Sequence, residues 1–173
     1  RGSLSQGRRP RCQKKGRGPP ALDLVPSNFV TFLENHDQVA NSGKGQRLHQ
    51  LTSPGRLRAM TALLLLGPGT PMLFQGQEFA ASAPFLFFAD HDPDLNRLVR
   101  RGRGEFLSQF PSLASPESQA ALADPGDLET FRRCVLDHSE RERHAEVYAM
   151  HCDLLRLRKT DPAFHAQQPR GVD

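Results

Sequence analysis

The sequence contains no tryptophan, one tyrosine and three cysteines among 173 residues. Aromatic packing therefore falls to phenylalanine. The chain is long enough for one domain with a core of its own, but shorter than the roughly 250 residues of a complete (β/α)8 barrel. Cys12, Cys134 and Cys152 are odd in number, far apart and without CxxC spacing. They read as reduced thiols of a cytoplasmic protein, neither a disulfide framework nor zinc ligands. No long apolar run is present: Ala62–Leu66 falls far below membrane-spanning length, so no membrane partner is expected. Acidic residues are missing from the first twenty positions, where Arg1, Arg8, Arg9, Arg11, Lys14, Lys15 and Arg17 stand. The seven positive charges of this run exceed the formal net charge of +4. No aromatic is interleaved to stack a base and no amphipathic period follows, so the run reads as a solvated loop and no nucleic-acid partner is expected. A basic polyanion-binding module is the alternative of a different class.

Fourteen prolines and fourteen glycines punctuate the rest. Residues 1–28 read as an irregular basic Gly/Pro/Arg segment, with Pro19, Pro20 and Pro26 opposing helix. Phe29–Leu33 is β-branched and aromatic without polar alternation, the pattern of a strand buried on both faces of a parallel sheet. The polar stretch 34–38 follows it directly, and 39–52 reads as a loop. Ser53 as N-cap, Pro54 at the first position and an Ala/Leu/Met-rich run predict a helix to Leu66, with Leu57, Met60, Leu63 and Leu64 inward. Gly67 is expected as a left-handed cap and Pro68 as the stop. Met72–Phe74 reads as a second buried strand, followed by polar Gln75-Gly76-Gln77-Glu78. Strand, helix and strand form a βαβ unit whose two strands end on one side, where ligands gather in parallel sheets.

Further helices are predicted over 94–109, with Leu95, Leu98, Val99 and Phe106 on one face, from Ser115 to Asp124, and over 142–159, with Val147, Met150, Leu154 and Leu157 inward. Asp161-Pro162 ends the last of these. Asp90-His91-Asp92 reads as turn chemistry before Pro93, since adjacent residues point apart and make poor joint metal ligands. His144 and His151 read as surface or packing residues. Phe85, Phe87 and Phe88 read equally as core or as a sugar-stacking wall.

Phe32-Leu33-Glu34-Asn35-His36-Asp37-Gln38 resembles the fourth conserved region of the α-amylase superfamily, glycoside hydrolase family 13. Gly69-Thr70-Pro71-Met72-Leu73-Phe74-Gln75-Gly76-Gln77-Glu78 resembles the eighth strand of that superfamily's barrel. Asn35–Gln38, Gln75–Phe79, Pro84–His91, Arg100–Arg103, Phe106–Phe110 and Asp153–Arg158 together are more specifically similar to the malto-oligosyltrehalose trehalohydrolases. Ala40-Asn41-Ser42 and Gly45-Gln46-Arg47-Leu48 depart from the Gly-Asn-Arg and Gly-Glu-Arg-Leu common there.

The resemblance implies an α/β fold: the C-terminal part of a (β/α)8 TIM barrel, with its seventh and eighth strands and following helices over 29–160. Residues 161–173 would begin a C-terminal β domain. It implies an α-glucan or maltooligosyl trehalose substrate, whose α-1,4 bond is hydrolysed to release trehalose. Branching of an α-glucan is the alternative within the superfamily. No cofactor or metal is implied, and the oligomeric state is left open. Asp37 maps onto the carboxylate that stabilises the transition state, and His36 onto a donor to a neighbouring sugar hydroxyl. Asn35 and Gln38 are expected as substrate or supporting contacts. Glu78 is expected as a substrate contact or as an ion-pair partner. The nucleophile and general acid of such enzymes follow the fourth and fifth strands, and nothing in residues 1–28 resembles those segments. The expectation is a C-terminal fragment that is inactive alone.

Overall fold

The structure is a computed structural model that describes residues 24–167. The basic segment before residue 24, Cys12 and the expected β-domain residues after 167 lie outside the described residues. In chain order the elements are β1 (Val30–Thr31), α1 (His36–Asn41), α2 (Leu48–Leu51), α3 (Pro54–Leu66), β2 (Thr70–Pro71), α4 (Pro93–Leu107), α5 (Pro116–Ala120), α6 (Leu128–Cys134), α7 (Glu140–Arg143), α8 (Ala145–Thr160) and α9 (Pro162–His165). The described residues divide into two compact units. One comprises 24–32, 59–72 and 150–167; the other comprises 33–58 and 73–149.

The first unit contains the sheet. β1 and β2 pair in parallel, Val30 opposite Thr70 and Thr31 opposite Pro71. Phe29 O accepts from Thr70 N–H at 2.9 Å, and Thr31 O from Met72 N–H at 2.8 Å. The strand–helix–strand order is as expected, but both strands are shorter than the sequence suggests. The second falls on Thr70–Pro71, ahead of Met72–Phe74. Nor is β1 buried on both faces: Val30 is 58% exposed and Phe32 40%. Among the described residues the sheet has these two strands only, so both are edges.

In α3, Ser53 Oγ accepts from Arg56 N–H at 3.4 Å, the cap that the sequence predicts. The buried face is Thr61, Leu64 and Leu65, spaced i, i+3, i+4, while Leu63 is 76% exposed and corrects the expected stripe. Gly67 is also not a left-handed cap, because its φ is not positive. Glycine is needed there for a close approach: a Cβ would stand 2.7 Å from Leu63 O, the acceptor for Gly67 N–H. The carbonyls at the helix end are gathered by one side chain. Arg158 Nη1 donates to Leu65 O at 2.9 Å and Gly67 O at 2.5 Å, and Nη2 to Gly69 O at 2.6 Å. The guanidinium thus satisfies acceptors that a helix terminus leaves open.

The second unit is helical. Phe79, Ala81, Leu86, Leu107, Leu113 and Cys134 are buried in it. Asp92 Oδ1 caps α4 by accepting from Asp94 and Leu95 N–H, with Pro93 at the first position. α4 forms where the sequence predicts it, but Leu95, Leu98 and Phe106 of its apolar stripe are exposed, and Leu107 is the buried residue. Ser115 caps α5 as expected. α6, capped by Asp127, had no counterpart in the sequence reading. The helix expected over 142–159 is two helices, broken at His144 with φ −113° and ψ 37°. His144 Nδ1 donates to Phe79 O across 2.9 Å, so the imidazole stands where the helical path is interrupted.

Arg158→Met should destabilise the protein by about 2–4 kcal/mol, because three carbonyls lose a charged donor. Urea unfolding of the protein expressed from its complete reading frame measures this. An unchanged midpoint would mean that water replaces the guanidinium without loss.

Candidate functional site

Glu34 to Gln38 lie in the second unit, where the chain turns into α1. Asn35 Oδ1 accepts from Asp37 N–H at 2.8 Å and Gln38 N–H at 3.4 Å, while Gln38 Oε1 accepts from Asn35 N–H at 3.0 Å. This reciprocal capping box starts the helix. The amide oxygens of Asn35 and Gln38 are thus turned onto the backbone, which fits the supporting one of the two roles expected for them. Val39 and Ala40 anchor the other side of α1 by burial. His36 and Asp37 are left outward, their side chains 67% and 68% exposed, with His36 Nε2 3.4 Å from Asp37 Oδ1.

Behind them is a charged cluster that the sequence did not reveal. Arg47 is fully buried. Its Nε donates to Ala83 O at 2.6 Å and its Nη1 to Gln75 O at 2.7 Å, and the guanidinium lies 5.4 Å from the Phe74 ring centroid. Nη2 is buried without a hydrogen-bond partner among the described residues. Glu34 is also buried, with Oε2 accepting from Leu48 N–H at 2.6 Å. Burial pushes the Glu34 carboxyl above the ordinary carboxylate range, against the Leu48 N–H and the Arg47 charge. Burial likewise lowers the Arg47 pKa, and Glu34 opposes that shift. The backbone between these residues needs glycine. Gly45 has φ +65°, and a Cβ there would lie 2.8 Å from Phe85 O.

The loop after Gln75 is tied down at several points. Ser82 donates to Glu140 through N–H at 2.8 Å and Oγ at 2.5 Å. These bonds hold the buried Glu140 carboxylate below its ordinary range. Leu86 N–H donates to Cys134 Sγ at 3.1 Å. Glu78 lies 3.7 Å from Arg141, whose guanidinium also sits over the Phe79 and Tyr148 rings. Of its two expected roles, the geometry favours the ion pair.

His36, Asp37, Asn41, Arg103 and the loop 85–88 line a cavity of about 510 Å³. It combines a carboxylate, an imidazole, a guanidinium and phenylalanine faces, a set suited to a neutral ligand rich in hydroxyls. A second hollow of about 340 Å³ is lined by Arg97, Arg100, Arg101 and Arg103. Arg97 pairs with Asp94, Arg100 with Asp124 at 2.8 Å and Arg101 with Glu105 at 2.9 Å. Its positive charge is largely answered locally.

No protein-family profile matches the chain. It is 41% identical over 158 residues to a malto-oligosyltrehalose trehalohydrolase of Deinococcus radiodurans, covering 90% of this chain and 26% of that protein. With the enzyme of that name from Arthrobacter ramosus the identity is 37%, over 99% of this chain and 31% of that protein. With that from Saccharolobus solfataricus it is 39%, over 58% and 18%. The chain spans about a quarter to a third of the length of the first two. A crystal structure from Salmonella typhimurium, of a protein assigned as an α-amylase, superposes with TM-score 0.81 and 34% identity, over 95% of this chain and 28% of that one.

Two predictions come from the buried charges. Arg47→Lys keeps the charge but loses the fork to Ala83 O and Gln75 O, and should cost about 2–4 kcal/mol in unfolding free energy. Denaturant unfolding of the complete protein measures this, and a loss well under 1 kcal/mol would refute the role. The folded-state pKa of Glu140 lies below the ordinary 4.5. Its contribution to stability is therefore complete above that value and disappears as pH falls through the depressed one. Ser82→Ala should lower the thermal midpoint at neutral pH and flatten its fall on the acid side. Parallel acid limbs in the two proteins would contradict this.

Proposed function

Over the part of those relatives that it spans, the chain belongs to the malto-oligosyltrehalose trehalohydrolase family, and from that premise we propose that it is part of a retaining glycosidase. The enzyme cleaves the α-1,4-glucosidic bond next to the terminal trehalose of a maltooligosyl trehalose and releases trehalose. The observation that carries this reading is Asp37 beside His36, both outward from a capped helix start on the wall of the 510 Å³ cavity.

Retaining cleavage uses two carboxyl groups roughly 5 Å apart, one as nucleophile and one as general acid and base, through a transition state with positive charge on the sugar ring. Asp37 is the third carboxylate. As an anion it accepts hydrogen bonds from two ring hydroxyls and opposes the developing charge, and both interactions strengthen as the bond breaks. His36 donates to an adjacent hydroxyl and helps to hold the ring in register. The nucleophile and acid belong to other parts of the complete enzyme.

In this reading β1 and β2 are the seventh and eighth strands of the barrel, and 29–160 supplies its last two β/α units. The exposed Val30 and Phe32 beside β1 support it, since apolar strand residues of a barrel are covered by neighbouring strands and helices.

The complete protein should release trehalose from maltotriosyl trehalose. Asp37→Asn should lower turnover by at least about 100-fold with the thermal midpoint nearly unchanged, because the amide is isosteric but uncharged. Transfer of glucan to a branch point with no trehalose release would replace this reading with a branching enzyme. Near-normal turnover of the variant would remove Asp37 from the mechanism.

A further inference from the structure

We infer that Phe87 and Arg103 form a glucosyl-binding subsite in the cavity that Asp37 lines, which holds the sugar unit next to the one that Asp37 grips. The inference rests on the reading of Asp37 above and adds residues that the reading does not use.

The three rings of the aromatic loop have different environments. Phe85 meets Phe74 edge-on at 5.1 Å and Phe88 at 5.9 Å, and Phe88 meets Phe131 at 5.2 Å. These rings are engaged in a continuous edge-to-face ladder, the arrangement that aromatic quadrupoles favour in packing. Leu86, between them, is 4% exposed. Phe87 has no part in the ladder and is 39% exposed. One of its faces lies under the Arg103 guanidinium, 4.5 Å from the ring centroid. Phe87 also lines the 510 Å³ cavity, so part of its surface is turned to that space. A partly exposed ring on the cavity wall, backed by a cation, can serve as a platform for the apolar C–H face of a pyranose.

Arg103 is fixed as well. Its Nη2 donates to Ala40 O at 2.9 Å and its Nη1 to Asn41 Oδ1 at 3.1 Å. A guanidinium has five N–H donors, so three remain for hydroxyls. Its anchor also sets its position relative to Asp37. Asp37 and Asn41 are separated i, i+4 on α1, which puts them on one face, about 6 Å apart along the axis. All four residues line the same cavity. The Asp37 carboxylate in that cavity disfavours an anionic ligand, while the platform and free donors suit a neutral sugar. Carboxylate and platform share one cavity, as the grip on consecutive units of one glucan requires.

The test uses the complete protein with Phe87→Leu and Phe87→Met, which keep apolar bulk but remove the ring, and Phe87→Trp and Phe87→Tyr, which keep it. Calorimetry reads affinity for maltopentaose, and kinetics reads KM for maltotriosyl trehalose. The Leu and Met variants should bind about tenfold more weakly, with KM raised in parallel, and the Trp and Tyr variants should stay within about threefold of wild type. Ringless variants as tight as wild type, or aromatic variants as weak as the ringless ones, would overturn the subsite. A wild-type protein that releases no trehalose would overturn the hydrolase reading alone, because the calorimetric comparison needs no turnover.

Discussion

The buried guanidinium of Arg47 is the constraint on which the candidate site depends. Taking an isolated cation out of water costs several kcal/mol even after the protein relaxes. Arg47 offsets that cost with two backbone carbonyls, the Phe74 ring and the nearby charge of Glu34. The carbonyls are Gln75 and Ala83, at either end of the loop that carries Glu78 and Phe79. One side chain therefore sets the width of that loop. Glu34, by accepting from Leu48 N–H, ties the residue before Asn35 to the start of α2. The segment bearing His36 and Asp37 is thus held from both ends by groups that never reach the cavity. The upward shift at Glu34 and the downward shift at Arg47 have the same origin. Both groups are charged where water is scarce, and each makes the charge of the other less costly.

What was legible in the sequence was local. Ser53 and Ser115 each cap a helix as their positions before Pro suggest, because a cap involves a side chain and amides two or three residues away. The Asn35–Gln38 pattern was recognisable for a similar reason, although half of it proves to be backbone architecture. What depended on distant neighbours was not legible. Leu95, Leu98 and Phe106 have helical spacing and face outward, and Val30 is apolar and exposed. Periodicity identifies a face without saying what covers it. Arg47 and Glu140 carried no signal either. Charged residues are buried only when partners far along the chain are in position, here Ala83 for one and Ser82 for the other. Gly67 was correctly marked as special and assigned the wrong cause, since a close approach and a left-handed turn both demand glycine.

The seven residues Asn35–Asn41 show how little backbone the proposed chemistry requires. Asn35 and Gln38 face the chain and start the helix, so that His36 and Asp37 emerge at its first turn with a fixed backbone beneath them. The same helix ends at Ala40 and Asn41, which hold the Arg103 side chain, and Arg103 backs Phe87. A helix of under two turns thus carries the carboxylate at one end and, at the other, holds the guanidinium that lies against the Phe87 ring of the aromatic loop. The pitch of the helix sets the separation of Asp37 and Asn41, the residue that anchors Arg103. Productive binding of a glucan depends on such spacing, because misplacement by about 1 Å at a reacting centre can cost a hundredfold in rate. Outward carboxylates on loops are common. A carboxylate that shares one cavity with an aromatic ring and an anchored guanidinium is a stronger reason to propose a glucan site on this surface than the Asn-His-Asp triplet alone.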